Sequence, residues 1–171
     1  FAKVPKVDRC TTCHLGIDRE GYEKAPQPFT SHPRKEVLLT IHKPEKMGCT
    51  TCHRGQGNAL RSAFQAHGVT YEEENHSNQK VRSREYLEHW EEPMYEGDFI
   101  QSSCATCHQT FEITAAEVRN KGRLLFSELG CHGCHLTEGY EEKGKIGPDL
   151  TRIKSKVYAE WLVKWIRNPK Q

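Results

Sequence analysis

Apolar residues, methionine and long hydrophobic runs are all scarce in this chain. Only 35% of its 171 residues are hydrophobic against 28% charged, and the mean hydropathy is −0.81. That is too little apolar material for an ordinary core at this length, so something other than side chains is expected to fill the interior. The longest apolar runs span a few residues, such as Val37-Leu38-Leu39, which excludes a membrane-spanning helix. Charge of either sign is not in excess: the net value is +2 and the pI is near 8.1, which argues against nucleic-acid binding. No P-loop, Ser–His–Asp or paired-carboxylate pattern is present. The chain opens at Phe1 without an initiator methionine or a signal peptide, and reads as a mature or trimmed form.

Cysteine and histidine are what the chain does have. Its eight cysteines fall as Cys10-Thr-Thr-Cys13-His14, Cys49-Thr-Thr-Cys52-His53, Cys104-Ala-Thr-Cys107-His108 and Cys131-His-Gly-Cys134-His135. Every cysteine is used and every pair is followed at once by histidine. Given one cysteine, this composition supplies the other two residues of the motif with a probability of roughly 0.003, so four occurrences are not chance. The spacing suits covalent haem attachment. Two thiols three positions apart on one helical turn add to the two vinyl groups on one porphyrin edge, and the next histidine ligates the iron. Cys10, Cys13, Cys49, Cys52, Cys104, Cys107, Cys131 and Cys134 are therefore expected to tether four haems c, with His14, His53, His108 and His135 as proximal iron ligands. Zinc knuckles do not require a histidine after every second cysteine. A thioredoxin-like dithiol would occur once, beside a βαβ pattern that is absent here.

The motifs begin at residues 10, 49, 104 and 131, with no fixed period, so the chain is not a tandem repeat. Residues 71–98 hold nine carboxylates against three basic residues and read as an acidic linker and helix. The alternative is a docking face for a basic redox partner. Within it, Val81 to Trp90 is expected to be a short helix ended by Pro93. Thr114 to Leu129 reads as a helix broken by Gly130. A second helix is expected from about Lys156, capped by Ser155 and stopped at Asn168-Pro169. Its apolar residues Tyr158, Trp161, Leu162, Trp165 and Ile166 follow helical spacing and are expected to pack into the core.

The ordered series Gly122 to Phe126, Gly130 to His135, Gly147-Pro148-Asp149-Leu150 and Trp161 to Pro169 resembles a class I cytochrome c domain over about residues 114–171. That resemblance implies that Gly122 and Phe126 lie where the N-terminal helix crosses the C-terminal one, against an aromatic such as Trp161. It also implies that the Pro148 carbonyl accepts the Nδ1–H of His135. The family carries its distal methionine beyond the segment at which this chain ends, so the sequence reads as a truncated domain. The earlier part resembles multihaem cytochrome c subunits of bacterial, bc-like quinol-oxidising respiratory complexes. The residues concerned are Asp8 to Gly16, Ser31-His32-Pro33, Gly48 to Gly57, Ala66-His67-Gly68 and Trp90 to Met94. Together these imply a mainly α fold with extensive irregular loops, haem-cored and ending in a class I cytochrome c fold. The expected organisation is a tri-haem region, 1–110, followed by the class I domain, 111–171.

For the distal positions the candidates are His32, His42, His67 and Met94, with His89 in reserve. His132 sits inside its own attachment loop and is a poor axial ligand. His76, in an Asn-His-Ser context, reads as a surface residue, and Met47 as packing. Methionine on one iron and histidine on others would set a ladder of potentials. The expected function is electron transfer outside the cytoplasm, at the periplasmic or extracellular face of the membrane, from a quinol-oxidising membrane complex toward a soluble or terminal acceptor. The expected partners are redox proteins or subunits of that complex, with no nucleic acid. A haem enzyme with one open iron, and a filament-forming extracellular cytochrome, are the alternatives.

Overall fold

A computed structural model describes residues 7–76, 79–86, 93–108, 112–141 and 146–170, with the backbone alone described for 70–76 and 79–86. The chain is mainly helical with irregular loops, and it divides into two compact units, Phe1–Ser103 and Cys104–Gln171. The third attachment motif thus falls in the second unit, where the sequence reading had set the boundary at 110/111.

The first unit is built from short pieces because its sequence is punctuated by proline and glycine. A 3-10 turn, Cys10–Thr12, leads into a long loop. Helix α1, Lys35–Ile41, stops at His42 shortly before Pro44, and that proline then opens α2, Pro44–Met47, at a position where its missing N–H costs nothing. Helix α3 is Thr50–His53. Helix α4, Ala63–His67, is capped at its start by Ser62, whose hydroxyl accepts the Gln65 N–H at 3.2 Å. It is closed by Gly68 in the left-handed conformation (φ 72°), which places His67 as its last residue.

Strands β1, Val69–His76, and β2, Gln79–Tyr86, then pair antiparallel. This corrects the helix expected over Val81–Trp90, of which 87–90 lie outside the described residues. The register sets Glu73 opposite Arg82 and Tyr71 opposite Arg84. A short polar segment without an apolar stripe has little to gain from a helix.

In the second unit α5 spans Glu117–Glu128 and is followed by Gly130 (φ 70°) and a 3-10 turn, Cys131–Gly133. The helix starts later than the expected Thr114 because Asn120 closes a loop with Ile113. Its Oδ1 accepts the Ile113 N–H (3.0 Å) while its Nδ2 donates to the Ile113 carbonyl (2.9 Å). Helix α6 is Ala159–Arg167. Ser155 does not cap it; that residue ends a separate 3-10 turn, Ile153–Ser155, and its hydroxyl donates to the Arg152 carbonyl.

Among the described residues the buried apolar side chains are few: Val69, Ala116 and Pro93. The stripe expected to be core in α6 is exposed instead: Tyr158, Trp161, Trp165 and Ile166 are all at least 43% accessible. The helix crossing implied at Gly122 is not formed, since a Cβ there would meet nothing within 4 Å. Local spacing gives these aromatics nearer partners. Trp161 stacks on Trp165 one turn along, and Phe126 lies against Tyr140 and His132. No helix among the described residues is long and apolar enough to cross a membrane.

Candidate functional site

All four cysteine–histidine motifs close the same backbone hydrogen bond. In each, the histidine N–H donates to the carbonyl of the first cysteine: His14 to Cys10 (3.0 Å), His53 to Cys49 (2.9 Å), His108 to Cys104 (2.9 Å) and His135 to Cys131 (3.2 Å). One closed turn puts residues i, i+3 and i+4 on one face, so two sulfurs and an imidazole leave each turn on the same side. No two of the eight cysteines are joined in a disulfide.

Two of these histidines are each faced by a second histidine in the first unit. The His14 and His67 rings lie 6.3 Å apart between centroids, tilted at 38°. The His32 and His53 rings lie 6.2 Å apart at 81°. Each partner is brought in by a distinct element. His67 arrives at the end of α4. His32 comes from the long loop, where its N–H donates to the Ile17 carbonyl (2.8 Å) and the neighbouring Ser31 is buried. Gly16 supports this loop because a Cβ there would overlap the Phe29 carbonyl.

Burial holds the pKa values of all four histidines below the ordinary imidazole range, so the rings are neutral and their nitrogens can donate electron pairs. For His14 a hydrogen bond to the Pro28 carbonyl partly offsets burial. For His53 the charges that His32, His14 and His67 would carry add to the lowering, which reflects how near the two pairs lie to one another.

The remaining candidates are placed as follows. His42 caps the end of α1 through its N–H to the Leu38 carbonyl (2.8 Å). Met94 lies beside both ring pairs: its N–H donates to the His67 carbonyl (2.6 Å), and the next residue, Tyr95, donates to the His53 carbonyl (2.8 Å). His89 lies outside the described residues, as does the side chain of His76. His108 is exposed, and its carbonyl accepts from Arg119 Nη2 at 3.2 Å. His135 Nδ1 is 2.8 Å from the Pro148 carbonyl, the contact the resemblance implies. With the proton on Nδ1, Nε2 of His135 is left to ligate. His132 stacks on Tyr140 at 4.8 Å, an aromatic packing role.

Asp8 is a residue of the site to which the sequence analysis gave no role. An Asp8 carboxylate oxygen, Cys10 Sγ and Cys49 Sγ lie within 4.8 Å of one another. Asp8 Oδ2 accepts from both the Thr50 N–H (2.7 Å) and the Thr50 hydroxyl (2.9 Å), and Oδ1 accepts the Cys10 N–H (3.4 Å). Burial by itself would raise the Asp8 pKa, but these hydrogen bonds outweigh it and hold the carboxyl below its usual range. The Cys10 thiol donates to Cys49, which pushes Cys10 up and Cys49 down. The only signal of this in the sequence is an acid two residues before the first motif, which no spacing rule selects.

The donor set is compatible with metal or haem binding. The Asp8–Cys10–Cys49 group offers three ligands where a structural zinc site needs four, and its carboxylate is already engaged by Thr50 and Cys10. The haem implied by the motifs fits the ring pairs better. An imidazole nitrogen sits about 2.0 Å from a ligated first-row metal, so two rings on opposite faces of one iron have centroids about 6.3 Å apart. Both observed separations meet that value. One contact would have to change: His32 Nδ1 accepts the Arg34 N–H at 3.2 Å, and ligation through Nε2 moves a proton onto that nitrogen. No family model, curated protein or solved structure matches the chain.

Proposed function

We propose that this chain is an electron-transfer protein, or a subunit of a larger oxidoreductase, that carries four covalently attached haems c outside the cytoplasm. The observation that carries the reading is the pairing of His14 with His67 and of His53 with His32, at separations suited to two imidazoles sharing one iron. The motif turns support it as well, because each sends two thiols and one imidazole out on a single face. The scarcity of buried apolar side chains fits a protein whose interior is completed by a large apolar group.

Haem supplies one-electron chemistry at its iron when bound; the chain fixes where that iron sits and which ligands it keeps. His14 and His135 are oriented by the Pro28 and Pro148 carbonyls, which also raise the basicity of the ligating nitrogen. His67 with His14 and His32 with His53 would hold the irons, and an iron kept by two imidazoles would favour electron transfer over binding of a small substrate. Met94, lying beside His53 and His67, and His42, ahead of Cys49, remain in the ligand pool with His89. The narrower reading places the chain in a multihaem cytochrome c family with a class I C-terminal domain. It would take electrons from a quinol-oxidising membrane complex and pass them to a soluble or terminal acceptor at the periplasmic or extracellular face.

The test is stoichiometry and covalency. The chain is produced with its export and haem-attachment machinery, denatured in acid and acetone, and analysed by mass spectrometry together with pyridine haemochrome spectra. Four haems that stay with the polypeptide support the reading. Haem that extracts, or zinc in its place, overturns it.

A further inference from the structure

We propose that Asp8 is a positioning residue that clamps the first two attachment motifs together, so that the groups tethered through Cys10 and Cys49 meet along one edge and behave as a coupled pair. This rests on the haem reading above and adds to it a specific contact and the residue that makes it.

The clamp is built from both sides. Asp8 reaches across 42 positions of sequence to accept two hydrogen bonds from Thr50, one from its backbone and one from its hydroxyl, while also accepting the Cys10 N–H. Thr50 directly follows Cys49 and is buried, and Asp8 is half-buried against it, so water has reduced access to these bonds. A second tie runs in parallel, from the Arg9 N–H to the Gly57 carbonyl at 2.7 Å.

Two glycines make room for this arrangement. A Cβ on Gly48 would lie 2.7 Å from Asp8 Oδ2, and Gly48 has a φ of 69°. A Cβ on Gly57 would lie 2.6 Å from the Val7 carbonyl and 2.9 Å from Asp8 Cα. Residues 7–9 are therefore seated between Gly48-Cys49-Thr50 and Gly57. The result is that Cys10 Sγ and Cys49 Sγ stand within 4.8 Å of each other. Whatever each motif holds through its first cysteine begins at that pair of sulfurs, and a charged carboxylate stands at the same point.

The outcome differs from simple proximity in the same fold. A pair held edge to edge shows an excitonic couplet in Soret circular dichroism. Each member also responds to the oxidation state of the other, so the two titrate with separated midpoints.

The experiment uses the full holoprotein with Asp8→Ala and Asp8→Asn, reading haem count, Soret circular dichroism and a potential-poised optical titration. Asp8→Asn keeps an oxygen that can accept from Thr50. We expect four haems in wild type and both variants, a couplet that shrinks in Asp8→Ala, and recovery of most of it in Asp8→Asn. The midpoints of the first two haems should rise in both variants, because the negative charge that favours the ferric form is gone. A wild type with four haems and no couplet overturns the inference alone. So does an Asp8→Ala variant whose couplet and midpoints match wild type. A wild type without covalent haem overturns the parent reading as well. If Asp8→Ala does not accumulate, Asp8→Asn decides: unchanged midpoints refute the role, and raised midpoints with a retained couplet support it.

Discussion

Replacing His67 by alanine should open one iron and only one. The imidazole of His67 faces that of His14 with 6.3 Å between ring centroids, whereas the ring set against His53 is that of His32. His67 ends α4, and alanine is the best helix former, so the backbone that carries it should persist. The loss is thus one axial bond. Since the chain has four attachment motifs, about a quarter of the haem should turn from low-spin to high-spin. The same quarter should bind carbon monoxide after reduction. The assay is an electron paramagnetic resonance spectrum of the oxidised protein and a carbon monoxide difference spectrum of the reduced one, each read as an increment over wild type. His32→Ala should add a second, independent quarter, and the double variant should show both increments, because each change removes a ligand from a different pair. His132→Ala, which removes only a ring stacked on Tyr140, should add nothing. If His67→Ala leaves the spin state and carbon monoxide binding as in wild type, the ring pair is not an axial pair. The main support for the proposed function then falls with it.

Three further outcomes follow from the same geometry. Gly147→Ala places a Cβ 2.9 Å from His135 Cε1 and Nδ1, so it should push the ring off the Pro148 carbonyl. The expected cost is about 1–3 kcal/mol, seen as a lower Tm, with a shift in the midpoint of the fourth haem alone. Gly48→Ala meets Asp8 Oδ2 at 2.7 Å in a left-handed backbone, and should destabilise the first unit by about 1–3 kcal/mol in denaturant unfolding. Acid should release the distal histidines only below their ordinary titration range. Burial depresses the folded pKa values of His14, His32, His53 and His67, so the neutral, ligating form is favoured above the unfolded value near 6.5. That contribution is lost as pH falls through the depressed folded values. A spin-state titration whose midpoint lies above 6.5 would contradict this sign.

What the sequence disclosed depended on how local the governing interaction was. The four motifs were legible because their chemistry lies within five consecutive residues, and one helical turn suffices to align them; each closes the same hydrogen bond. The break at Gly130 was equally local. The hairpin was not, because the pairing of Val69–His76 with Gln79–Tyr86 is a backbone contact between two segments that no periodicity within either one reveals. A serine before an amphipathic run can cap either the helix or a preceding turn; Ser155 serves the turn, and α6 starts at Ala159 instead of near Lys156. The apolar stripe of α6 was assigned to a core by its period alone. Period shows that residues share a face, but it does not show that the polypeptide supplies something for that face to cover. His32 precedes a proline and His67 a glycine, loop contexts that suffice to pool both as candidate ligands. Which ring each one lies against needed the fold, since the long loop and α4 bring them in from opposite directions along the chain. The same holds for Asp8, whose partner Thr50 is distant in sequence. Residue type marks the chemistry available to this chain, and long-range contacts decide which of those groups act on one another.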